Sequence, residues 1–176
     1  MPSNIVAWVT KDRSGCLRTG EAGVLHPKND DVLIKTMAVA INPVDGAIQK
    51  NDLFPRTYPA ILGMDLAGVV EEVGSNITYV KPGDRVLGFA TSLRTDYNAN
   101  SAFQAYAVIP PNCVSAIPEE LSFQQAAVLP LAIATADLGL FGKAELGLQL
   151  PSTEPHHMKQ VVLIWGGAAS VGSVAI

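Results

Sequence analysis

Gln160–Ile176 reads QVVLIWGGAASVGSVAI, and this run decides what kind of chain this is. Val161–Trp165 is wholly apolar and rich in β-branched residues, the pattern of a short strand buried on both faces. Gly166, Gly167 and Gly172 then punctuate a turn of small residues leading into Ser173–Ile176, the expected first turn of a helix. Strand, glycine turn and helix start, in that order, let a backbone approach a pyrophosphate and aim helix N-terminal N–H groups at it. The spacing is GGxxxxG rather than GxGxxG and no acidic residue follows, so a tight turn without a ligand stands as the alternative.

Upstream of this run the pattern is β. Asn4–Thr10, Asp31–Ile41, Leu66–Val73, Asp84–Ala90 and Ala102–Ile109 are rich in Val, Ile and Ala, and turn formers such as Asn42-Pro43, Lys81-Pro82-Gly83-Asp84 and Pro110-Pro111-Asn112 separate them. Short strands crowded into one region predict a barrel or partly open sandwich. Thr91–Ser101 reads as an exposed loop. Ser122 before QQAAVL predicts an N-cap and first helical turn, Pro130 interrupts that helix, and Ala132–Gly142 offers a second. Gly147–Lys159, with Pro151 and Pro155, reads as a linker into the final strand.

At 176 residues, 48% hydrophobic and 16% charged, the chain has the makings of a globular core and not of a disordered segment. A formal charge of -4 leaves no basic footprint, so no nucleic acid partner is expected. No apolar run approaches a membrane span and the N-terminus lacks a secretory pattern, which predicts a cytoplasmic protein with no membrane partner. Cys16 and Cys113 are far apart and read as free thiols, while His26, His156 and His157 read as loop residues, so no metal site is expected.

Three segments carry a more specific reading. INPVDGAIQK at Ile41–Lys50, LGMDLAGVVEEV at Leu62–Val73 and KPGDRV at Lys81–Val86 follow one another in an order and spacing that resembles the N-terminal, GroES-like domain of the medium-chain dehydrogenase/reductase superfamily. FQAYAVIP, IPEELSFQQAAVLPLAIATA and VLIWGGAASVG continue the likeness, which covers nearly the whole chain and is nearest to the fungal trans-acting enoyl reductase and ToxD-like branch. Each segment also has a purely structural reading. Gly63 and Gly68 suit a close backbone approach or a bulge, Pro82-Gly83-Asp84 suits a turn, and Asp84 and Arg85 could pair within it.

The resemblance implies a fold: a mostly β, GroES-like partly open barrel with flanking helices over 1–130, a helix and linker over 131–160, and over 161–176 the first strand and glycine turn of a truncated Rossmann α/β unit. A complete member would continue with further parallel strands and a return segment. It also implies a chemistry. Zinc enzymes of the superfamily carry a cysteine ligand and a Gly-His-Glu triplet where this chain has NPVD, with Val44, and GMD, with Met64. The expected activity is therefore zinc-independent, NADPH-dependent reduction of an enoyl or quinone substrate, small or carrier-bound, with little activity in this chain alone. By the same likeness Val44, Asp45, Gly46 and Ala47 border the nicotinamide, Thr135 lies beside the ring and substrate, and Ala168, Ala169, Ser170 and Val171 face the pyrophosphate. Asp45 could instead be a turn carboxylate bonded to local backbone, and Thr135 could bond its i-4 carbonyl. The proton donor is left open between Asp52 or a neighbour and Tyr58. The likeness leaves room for a homo-oligomer, and the rival functions are a non-catalytic GroES-like binding or scaffold protein and a co-chaperonin.

Overall fold

A computed structural model describes residues 3–10, 16–51, 53–54, 56–154 and 159–176. The chain divides into two compact units, Met1–Pro130 and Leu131–Ile176. Among its described residues the first contains eight strands: β1 (Asn4–Val9), β2 (Arg18–Ala22), β3 (Val32–Ala40), β4 (Ala60–Ile61), β5 (Asp65–Val73), β6 (Arg85–Phe89), β7 (Tyr106–Ile109) and β8 (Val114–Ala116). Its helices are α1 (Pro43–Asn51), α2 (Ser92–Thr95) and α3 (Phe123–Ala127); α4 (Pro130–Phe141) starts at the division and α5 (Ser170–Ala175) lies in the second unit.

All the ladders in the first unit are antiparallel. One sheet has the order β2-β1-β4 and the other β7-β3-β5-β6-β8, with a bridge from Val6 to Gln104 joining β1 to the segment before β7. The expected mostly β architecture with flanking helices is what forms. Its main core, Val32, Ile34, Leu66, Val70, Val86, Ala107 and Ile109, comes from the inward positions of β3, β5, β6 and β7. β3 and β5 slip register twice, and at the second slip a Cβ on Gly68 would lie 2.1 Å from the Lys35 carbonyl oxygen. Only glycine fits there.

Several expectations are corrected. The strand expected over Ala102–Ile109 begins only at Tyr106, because Ala102 and Phe103 bond the backbone of Gly63, Leu62 and Ala7 instead of entering the β3 ladder early. Thr91–Ser101 is not an exposed loop. It holds α2 and a 3-10 turn over Asn98–Asn100, and Ser92, Asn100 and Ser101 are buried. Its side chains grip the segment before β5: Asn98 accepts from the Ile61 N–H and donates to the Pro59 carbonyl, while the Ser101 hydroxyl donates to the Ile61 carbonyl at 2.7 Å. α1, β2, β4 and β8 were not anticipated.

Arg85 also differs from the sequence reading. Asp84 takes the Lys81 N–H at 2.9 Å inside the turn, and the Arg85 guanidinium donates instead to the carbonyls of Pro118, Glu119 and Leu121 while stacking over Phe123 at 4.7 Å. A planar five-donor fork can serve several carbonyls at once, which a turn carboxylate would waste. Arg85 thereby holds β6 against the approach to α3. Ser122 caps α3 as expected, with the reciprocal Ser122–Gln125 capping box complete. α3 presses Ala126 and Ala127 onto Ala67 and Ile117. Phe123–Phe141 spans 19 residues with mean hydropathy 1.2, long and apolar enough by length and composition to cross a membrane, contrary to the expectation that no run approached this. The run is broken between the two helices at Val128–Leu129, before Pro130 starts α4.

In the second unit, Val161–Trp165 forms no strand. A strand is defined by its ladder, and no described residue pairs with this run. Val161 is 98% exposed, Leu163 82% and Trp165 93%.

Candidate functional site

The residues expected near the nicotinamide sit together on the first turn of α1, and the local sequence explains the helix. Asn42 is its cap, Pro43 supplies a preset φ at the first helical position, and Asp45 stands three residues past the cap. The Asp45 carboxylate reaches back to the Asn42 N–H at 2.8 Å, half of a capping box. Its other oxygen accepts the Gly63 N–H at 3.2 Å, across 18 residues of chain. The Asn42 side chain donates to Asp65 at 2.9 Å, so α1 is fastened at its start to both ends of the turn before β5. Gly63 has φ 91°, and the Phe103 ring occupies the place a side chain would take.

Asp45 is 4% exposed with both oxygens engaged by backbone N–H groups, the alternative the sequence reading left open. Burial pushes its carboxyl above the usual carboxylate range, against the pull of the two N–H bonds and of the Arg56 charge. Beside it on α1, Val44 packs onto Val9, Ile48 and Leu62, whereas a Cβ on Gly46 would meet nothing within 4 Å. Gly46 and Ala47 are half-buried. Tyr58 packs on the same cluster as Val44, and Asp52 lies outside the described residues.

The buried carboxylate has a pH consequence. A folded-state pKa above the ordinary aspartate value of 3.8 means that the folded chain binds this proton more tightly than the unfolded one. Its contribution to stability is therefore fullest below 3.8 and is lost as pH rises through the raised folded value. Asp45→Asn removes that dependence but turns one amide N–H toward a backbone N–H, a cost of about 1–3 kcal/mol. The variant's deficit in urea unfolding should be largest at acid pH and should shrink toward neutrality. A deficit that grows with pH would contradict the assignment.

Arg56 extends the clamp on this side of the unit. Its side chain is 4% exposed, donates to the Ser92 carbonyl at 3.2 Å and lies 3.8 Å from Asp96. Asp96 in turn accepts the Thr57 N–H and hydroxyl, bonds that hold its carboxyl below the usual range.

In the second unit the expected phosphate-side residues form one continuous feature. Gly166 adopts φ 82°, the Ala169 N–H closes the turn on the Gly166 carbonyl at 2.8 Å, and α5 follows from Ser170. Gly172 packs backbone to backbone on Gly166, where a Cβ would come within 2.2 Å of a carbonyl oxygen. The first helical bond runs from the Ser173 N–H to the Ala169 carbonyl, so the N–H groups of Ser170 and Val171 precede it as helix-end donors. Ala168, Ala169 and Ser170 are exposed, and the Ser170 hydroxyl has no partner among the described residues. Thr135, on α4, donates to the Leu131 carbonyl at 2.8 Å, the local bond named above as its alternative. His156 and His157 lie outside the described residues, and among the described residues no three His, Cys, Asp or Glu side chains group to hold a metal.

Residues 28–119 match the alcohol dehydrogenase GroES-like domain. The chain belongs to that family. Dehydrogenase pigH of Monascus ruber is 46% identical, over 100% of this chain and 49% of the relative. Trans-enoyl reductase himH of Aspergillus japonicus is 38% identical, over 98% and 50%. The crystal structure of Escherichia coli quinone oxidoreductase complexed with NADPH superposes with a TM-score of 0.62 at 25% identity, over 82% of this chain and 41% of that one. This member of the GroES-like family thus spans about half the length of the curated relatives it matches. Its relatives are oxidoreductases by name, and the fold is theirs.

Of the unanticipated elements, α1 has a legible signal. Asn-Pro-x-Asp is a cap, a first-turn proline and a carboxylate three residues past the cap. The grip of Asn98 and Ser101 on β4 had none, since side-chain bonds across 37 and 40 residues leave no periodicity.

Proposed function

We propose that this chain serves NADPH-dependent, zinc-independent reduction of an electron-poor alkene, an enoyl or quinone substrate that is small or carrier-bound, in the cytoplasm. The observation that carries the reading is the largely exposed turn at Gly166–Val171, where positive-φ glycine, close glycine packing and helix-end N–H groups coincide in an arrangement that suits a pyrophosphate. The names of the relatives support the reaction class, one as a trans-enoyl reductase and one as a quinone oxidoreductase holding NADPH.

The cofactor, when bound, supplies the hydride. Ala168, Ala169, Ser170 and Val171 would meet its phosphates through N–H groups and the Ser170 hydroxyl. On the first unit Val44, Gly46 and Ala47 would border the nicotinamide, held in place by Asp45, whose own oxygens are spent on backbone. Thr135 would contribute beside the ring once its hydroxyl leaves the Leu131 carbonyl.

Zinc independence rests on side-chain chemistry: Val44 and Met64 stand in the segments that carry thiolate and imidazole in the zinc enzymes, and a catalytic zinc needs about three such ligands. Elemental analysis of protein purified without chelator should find far less than one zinc per chain. One zinc per chain, retained in a variant lacking His156 and His157, would overturn the zinc-independent reading.

A further inference from the structure

We draw no further inference here: the strongest candidate, the apolar groove of about 520 Å³ between the β1–β2 hairpin and the outer face of β3, lined by Ile5, Leu17, Met37, Val39 and Phe103 with the Thr36 hydroxyl in its wall, carries nothing because the structure does not show what covers it.

Discussion

Gly63→Ala should lower the thermal transition of the β unit by roughly 10–20 °C. Two costs combine. At φ 91° an L side chain is strained by about 1–2 kcal/mol. The new methyl would also stand 2.3 Å from the Phe103 ring, which packs against two core clusters at once and cannot swing aside without disturbing both, a further cost of about 1–3 kcal/mol. Any shift of Gly63 also lengthens its bond to Asp45 and loosens the start of α1. Phe103→Leu in the same background should return part of the loss, since neighbouring substitutions couple. Gly46→Ala is the internal comparison: nothing lies within 4 Å of its would-be Cβ, and alanine should stabilise α1 by up to about 1 kcal/mol. A transition for Gly63→Ala within about 2 °C of the parent would mean that the contact with Phe103 yields freely.

Removing residues 158–176 should leave the thermal transition of the β unit nearly unchanged and sharply reduce light scattering. Val161, Leu163 and Trp165 are almost wholly exposed, and burial of such side chains is worth about 1.5–3 kcal/mol each. A largely exposed apolar run whose backbone has no ladder partner among the described residues is the kind of surface through which chains associate. None of the clusters that make up the β unit's core draws on residues beyond Phe123 and Ala127. A large loss of stability on removing 158–176 would show that this run is already integrated into the folded unit.

What could be read from the sequence was whatever local pattern dictates. β1, β3, β5 and β6 announce themselves through β-branched runs bounded by turn formers, and Ser122 with Gln125 announces α3. What could not be read was set by partners distant in the chain. β2, RTGEA, has no apolar alternation and is a strand only because β1 lies beside it. Val161–Trp165 has the composition of a strand and is not one, because composition supplies no ladder. At the site, family likeness marked Asp45 and Thr135 as cofactor residues, while the structure spends the Asp45 carboxylate on Asn42 and Gly63 and the Thr135 hydroxyl on Leu131. Spacing alone does not distinguish a carboxylate that touches a ligand from one that positions the helix beside it.

The proposed function requires the glycine turn and the first turn of α1 to form cofactor-binding surfaces. Titration of NADPH into isotopically labelled chain, followed by amide NMR shifts, tests it most directly. Weak binding, on the order of 0.1–1 mM, would correspond to about 4–5.5 kcal/mol. The predicted shifts fall on residues 166–171, with smaller ones at 44–47, and NADPH is not oxidised when a crotonyl thioester is added. Shifts confined to other residues, or none at millimolar NADPH, would contradict the claim.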